Sequence, residues 1–503
     1  MTLRTRVVAA SAAVVVASLS LTMAPSEAQQ PRGAVGVPLP TVAIIKGKTP
    51  NATAVQTNIG KLGYVEREYA VTITNPATYA YTDSTTHVTA TPLSDPPGTY
   101  KSRIFVRLPT NPQKFNGRVI VEMLNTTAYA DMDIVWMQSH EYLMNQGYAY
   151  VGVTVQQTGL APLSTFVRDP NRYAGLALNL LTPAAKADLA KYNLNANRDP
   201  SVAWDLVSQV GQLFKTNGPT SPLHGYTIKH VYLTGQSQMA GYMVTYINAI
   251  HPIAHVYDGF FVVSGGPYAK SLGYDPNNTF APSPAQVTIN GGGTPVILVQ
   301  TETDVHAKSA SRRPDSNTST DRFRLWEYPG AAHLDGWTKR QIIYGLARDY
   351  GAQIPLNCGW NKTRTITEFP MRYGIDAAIA ALNTWVTRGV APPSGPRIAT
   401  TAAGTIVRDS HRNATGGVRL PNVQVPVASF TPSSPGTLFC GLAGSETPFT
   451  KATLKKLYPT RAVYAAKVKA AALTDVKRGF LTPFDANQMI AAAKRARLDG
   501  TDR

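Results

Sequence analysis

The sequence predicts an α/β fold: a mostly parallel sheet with helices on both faces, preceded by an N-terminal arm and followed by a C-terminal helical appendage. Three observations predict it. Short apolar runs alternate with stretches of helical spacing along the chain, the pattern of strand–helix–strand units whose strands pair in parallel. Two of these runs, RVIVEML at 118–124 and AYVGVT at 149–154, are apolar enough to suit strands covered on both faces. Only 16% of the 503 residues are charged and 43% are hydrophobic, enough for a large core and too apolar for a disordered chain.

Each element has its own reason. Residues 1–28 are expected to be a cleaved signal peptide. Arg4 and Arg6 open a basic start, residues 7–23 are uncharged, and Ser26-Glu27-Ala28 places small residues at the −3 and −1 positions of a cleavage site. Residues 29–60, rich in Pro, Gly and Thr, read as an extended arm. The main α/β domain with its insertions is expected over 61–450. Its early strands are 69–74 and 103–108. Buried strands follow at 118–124 and 149–154, with a helix at 134–146 between them. Asp199 before Pro200 reads as an N-cap and first helical position of a helix running to 215. Later strands are 228–234, 256–263, 295–300 and 323–328. Helices are expected at 239–250, from Asp335 onward, and over 371–388. Residues 451–503 are Ala- and Lys-rich helices packed on the same domain, with Asp485 as an N-cap.

The chain carries 48 Lys and Arg against 30 Asp and Glu, a formal net charge of +18. That balance alone would suit a nucleic-acid or membrane partner. Residues 451–503, however, hold 12 Lys and Arg against four Asp, far in sequence from the candidate chemistry. The charge therefore reads as a solvated helical face, able to associate electrostatically with an anionic envelope. Nucleic acid is not expected. Two cysteines are too few for a disulfide scaffold or a Cys₄ zinc site. In the oxidising compartment that an export signal implies, Cys358 and Cys440 are expected to form one disulfide, and the protein to be secreted or periplasmic. No metal or other cofactor is expected. Gly291-Gly292-Gly293 lacks the strand-to-helix setting of a phosphate loop, and His251 and His255 have no evident third ligand.

The chemistry centres on LTGQSQMAG at 233–241, between a predicted strand and a predicted helix. A serine on such a turn has its Oγ exposed over the helix N-terminus, and small neighbours relieve the crowding of the strained backbone. Gly235 stands two residues before Ser237. Met239 stands where the common G-x-S-x-G pattern has its second glycine. Ser237 is the candidate nucleophile. The acid and the histidine are then expected later in the chain, in that order. The run PVILVQ ends in Thr301-Glu302-Thr303-Asp304. Asp304 fits the offset best, and Glu302 is the alternative acid. Of nine histidines, three follow Asp304. His306 is too near it in sequence, and His411 sits in a polar loop. His333, in the small-residue loop PGAAH, is the candidate general base. The backbone N–H of Gln238 and that of Thr126, in the loop LNTT with Asn125 beside it, are the candidate oxyanion donors.

At these residues the sequence resembles the α/β-hydrolase superfamily, most closely a group of exported bacterial proteins described only as alpha/beta hydrolase domain. GRVIVEMLN at 117–125, NQGYAYVGVTVQQTGL at 145–160, LTGQSQMAGYMVTYINAIHP at 233–252, PVILVQTETDV at 295–305 and YPGAAH at 328–333 carry the resemblance, which covers roughly residues 100–500. The group's pattern at the nucleophile is similar to Gly-Gln-Ser-Gln-Ser-Gly, from which Met239 and Ala240 depart. The resemblance implies a serine hydrolase fold. The expected function is hydrolysis of a small-molecule or polymeric carboxylic ester through an acyl-enzyme. An amidase, peptidase or acyltransferase on the same three residues, or a non-catalytic binding protein that keeps the fold, are the alternatives.

Overall fold

A computed structural model describes residues 36–47, 57–165, 170–178, 199–275, 280–307, 311–351, 356–436 and 438–498. The expected signal peptide, 1–28, lies outside them. Among the described residues the central sheet runs in the order β1 (Thr41–Ile44), β2 (Tyr64–Thr72), β5 (Tyr100–Pro109), β7 (Ala149–Val153), β6 (Arg118–Met123), β9 (His230–Gln236), β10 (Gly259–Val263), β11 (Val296–Thr301), β13 (Arg322–Tyr328) and β12 (Ser316–Asn317). The six strands from β7 to β13 pair in parallel. Antiparallel pairs close both edges. The short β8 (Ala177–Leu178) adds to β5, and β3 (Ala77–Tyr81) and β4 (Val88–Pro92) form a separate hairpin.

Strand alternation divides the core in two. Val119, Val121, Leu233, Val262 and Leu298 face one side, where Trp204, Val207 and Met243 cover them. Ile120, Tyr232, Phe261, Ile297 and Trp326 face the other, against Trp136, Ile375 and Trp385. The covering helices are α1 (Ile134–Asn145), α2 (Ala203–Thr216), α3 (Gln238–Thr245), α4 (Gly336–Tyr350) and α5 (Met371–Arg388). Both faces are thus buried beneath helices, as the apolar strands require. Glu122, near the end of β6, accepts from the backbone N–H groups of Val135 (2.9 Å) and Trp136 (3.2 Å) and so satisfies the buried start of α1.

Several local readings need correction. Asp199 does not cap α2. Its carboxylate accepts from the Ser201 N–H at 3.0 Å, a tight turn that delays the helix to Ala203. The Asp335 cap is present, accepting from the Thr338 N–H at 2.7 Å. The helix read at 239–250 is α3 followed by a π turn at Tyr246–Ile250. The described part of the arm carries β1, an edge strand of the sheet.

The C-terminal helices are α6 (Lys451–Leu457), α7 (Arg461–Arg478) and α8 (Pro483–Arg495). Ala472, Phe480, Leu481, Ala486 and Met489 join the apolar cluster of one sheet face, while every Lys and Arg between 451 and 498 is exposed. Asp485 is not the N-cap of α8. Thr482 caps it, with Pro483 next and Asp485 in the first turn, where the Thr482 hydroxyl reaches its carboxylate at 2.6 Å. Asp376 of α5 is buried beside Asp485, and the charge of Asp485 disfavours ionisation of Asp376. Two buried carboxylates that interact this way do not both ionise readily.

Burial raises both carboxyls of that pair, Asp485 to about 7. Arg372 of α5 and Thr482 favour ionisation, while Glu141 of α1 opposes it. The unfolded chain releases these protons near pH 4, whereas the folded chain keeps that of Asp485 up to about pH 7 and holds that of Asp376 well above its usual range, so folding takes up protons above about pH 4. Stability from this pair is fully present below about pH 4 and falls as pH rises, the Asp485 part being lost through about pH 7. Asp376→Asn removes one of the two buried acids and the repulsion between them. Melting temperatures across pH 4–8 are expected to fall less steeply with pH for this variant than for the parent.

Candidate active site

Ser237 sits on the turn between β9 and α3 with φ 58° and ψ −113°. A non-glycine residue held there costs about 1–3 kcal/mol, and the surroundings must enforce it. The Ser237 N–H donates to Val263 O at 3.0 Å, and its carbonyl accepts from the Ala240 N–H at 2.8 Å and the Tyr268 hydroxyl at 2.6 Å. The departure from the two-glycine pattern has a steric explanation. A Cβ at Gly235 would lie 2.9 Å from the Met239 Cβ. The missing side chain of the first position makes room for the full side chain at the second, and Met239 is buried in the core. Gly241 serves a different contact, since a Cβ there would lie 2.3 Å from the Tyr268 ring.

The structure brings the three candidate residues into one chain of hydrogen bonds. His333 Nε2 lies 2.8 Å from Ser237 Oγ, and His333 Nδ1 lies 2.9 Å from Asp304 Oδ1. Asp304 lies in the first turn of the short helix Glu302–His306, where its other oxygen accepts from the Thr301 N–H and hydroxyl, each at 2.8 Å. Burial opposes ionisation of Asp304, but the hydrogen bonds from His333 and Thr301 outweigh it and hold its carboxyl below the usual range. The His333 loop is clamped to the same helix, with His333 N–H donating to Thr303 Oγ1 at 3.1 Å. Glu302 points elsewhere. It accepts from the Gly330 N–H at 2.7 Å and pairs with Arg408 at 2.6 Å. Asp304, not Glu302, reaches the histidine.

Thr126 and Gln238 meet, though not as two free donors. The Thr126 N–H donates to the Gln238 side-chain oxygen at 3.2 Å. The Gln238 N–H opens α3 and has no partner within the helix. The loop carrying Thr126 is a small hairpin in which Asn125 and Met132 exchange backbone bonds. Two fully buried arginines of β5 anchor it: Arg103 pairs with Asp131 at 2.6 Å, and Arg107 pairs with Asp133.

Two neighbours of the site were not foreseen. The Gln236 amide lies 3.2 Å from His333 Nε2, and its carbonyl accepts from the Asn125 amide at 3.1 Å. Gln236 was visible inside the motif without a sign of its direction. Nothing in the sequence marks Tyr268. Ser237 and His333 open onto a cleft of about 650 Å³, its mouth included. Cys358 and Cys440, near that cleft in sequence, form a disulfide. Among the described residues no group of three His, Cys, Asp or Glu could hold a metal ion.

A mostly parallel sheet covered on both faces, with a serine on a strained strand-to-helix turn, defines the α/β-hydrolase architecture. The chain belongs to the family described as alpha/beta hydrolase domain, matched over residues 35–491. No curated protein matches it. Among solved structures it is similar to a Bacteroides fragilis protein assigned as an acetyl xylan esterase (12% identity, TM-score 0.28) over 54% of this chain and 65% of that one. It is similar to a methylesterase (12%, 0.27) over 54% and 47%. It is also similar to a glucuronoyl esterase from Teredinibacter turnerae (10%, 0.30) over 65% and 72%. The chain thus spans less than two thirds of the first two, and likeness of this degree carries no argument about activity.

Proposed function

We propose that the chain is a secreted serine hydrolase that cleaves carboxylic esters through an acyl-enzyme on Ser237. The observation that carries this reading is the run of hydrogen bonds from Asp304 through His333 to Ser237 Oγ. Ser237 Oγ attacks the ester carbonyl carbon, and its proton passes to His333 Nε2. Asp304 holds the Nδ1–H tautomer and stabilises the imidazolium. The carbon–oxygen bond to the alcohol breaks, and His333 returns the proton to that leaving oxygen. Water then repeats the sequence on the acyl-enzyme, with His333 as base. The backbone N–H groups of Thr126 and Gln238 receive the oxyanion, each worth about 3–4 kcal/mol. Gln238 Oε1 now holds the Thr126 N–H, so its side chain must swing aside when substrate arrives. The disulfide and the basic, then uncharged run of residues 1–23 support secretion, and the exposed basic helices support contact with an anionic envelope.

A fluorophosphonate probe tests the nucleophile. Wild type is expected to be labelled and Ser237→Ala not. Equal labelling of both, or none of wild type, would exclude the reading.

A further inference from the structure

The cleft beside Ser237 limits what kind of ester can enter. Its walls are Met132 from the end of the Thr126 loop, Ile134 from the start of α1, Ile342 from α4, and Leu356, Phe439 and Leu442 from two segments distant in sequence. Among the described residues no carboxylate lines it, and the one charged lining side chain is Lys339, whose ammonium stacks on Trp360 at 4.5 Å from the ring centre. Asn125 and Gln236 are already bonded to one another. A hydroxyl-rich group would lose its water there for few partners, whereas a hydrocarbon chain loses only contact with water.

The disulfide belongs to this wall. Leu356 lies two residues before Cys358, Phe439 adjoins Cys440, and Leu442 lies two residues after it. The bond holds the two segments with their Cα atoms 5.3 Å apart, and both cysteines are buried. The Leu334 N–H donates to Leu442 O at 2.9 Å, which ties the same wall to the residue after His333. We infer that the site selects uncharged esters bearing an extended apolar group, and that the Cys358–Cys440 disulfide is a specificity-determining element because it holds the far wall of the apolar cleft. This rests on the reading of Ser237 as the nucleophile.

Two series of neutral esters test it, one with a fixed nitrophenol and an acyl chain lengthened from two to ten carbons, the other with a fixed acetyl group and a lengthened alcohol. In one of them kcat/KM is expected to rise roughly three- to fourfold per methylene over the first several carbons. A rise with acyl length places the acyl group in the cleft, and a rise with alcohol length places the leaving group there. Either supports the inference. The slope is expected to flatten in Phe439→Ser and in the double variant Cys358→Ser/Cys440→Ser. Should the double variant not fold, the slope of wild type after mild reduction replaces it. Flat slopes in both series, on enzyme that fluorophosphonate still labels, overturn the apolar preference while leaving the nucleophile standing. An unchanged slope without the disulfide overturns its role. Failure of wild type to label removes both this inference and the reading beneath it.

Discussion

Asp304→Asn is expected to lower kcat about 10⁴-fold, whereas Glu302→Gln is expected to leave it within a few-fold of wild type. The two carboxylates are separated by one residue on the same short helix and have opposite surroundings. Asp304 Oδ1 is on His333 Nδ1 at 2.9 Å, and the Thr301 donors fix its other oxygen. An amide at 304 can present its NH₂ to the imidazole, which favours the tautomer with the proton on Nε2. That nitrogen then cannot accept the Ser237 proton. Glu302 instead joins Arg408 to the Gly330 N–H. Burial raises its carboxyl pKa against the pull of Arg408. Its amide variant keeps the size but weakens the tie to Arg408, which is partly exposed. The expected loss is about 1–2 kcal/mol of stability. Steady-state kinetics and denaturant melts of the two variants check both halves, and a larger kinetic loss in Glu302→Gln would reverse the assignment.

Arg103→Met is expected to destabilise the protein by about 3–5 kcal/mol. The guanidinium is fully buried and lies between Glu68, at 2.9 Å, and Asp131, at 2.6 Å. Removing it leaves two acids facing each other in the core. Arg172 still reaches Glu68 at 2.6 Å. Asp131 keeps the Thr154 hydroxyl but loses its strong cationic contact. Because Asp131 anchors the hairpin that carries Thr126, kcat/KM is expected to fall as well. Adding Asp131→Asn removes one uncompensated charge and is expected to recover part of the stability, but not the position of the hairpin. Urea denaturation of both variants measures the first effect. An equally unstable double variant would mean that the charge imbalance is not the cause.

Much of the fold was legible because its signals are local. Apolar runs at 118–124 and 149–154 read as buried strands, and β6 and β7 lie there with helices on both faces. Asp335 read as a helix start because a carboxylate one residue ahead of a helix meets unpaired N–H groups. The same rule misled at Asp199 and Asp485. At Asp485 the hydroxyl of Thr482, three residues earlier, is the better-placed acceptor for the first turn. The hairpin of β3 and β4 went unread because its residues are half-buried or exposed and carry no strong apolar run.

The site was legible in part for the same reason. Ser237 announced itself through its position between strand and helix and through Gly235 two residues before it. The sequence by itself determined the main strands and helices of the sheet, the nucleophile candidate and a short choice of acids and histidines, because periodicity, turn chemistry and residue spacing act over a few residues. Only the tertiary structure decided which carboxylate reaches His333, that Gly235 makes room for Met239, and that Gln238 occupies the Thr126 N–H. It also decided that the disulfide borders the apolar cleft. Each depends on side chains from separate strands meeting within hydrogen-bond or van der Waals distance, and such meetings are set by how the whole sheet and its helices pack.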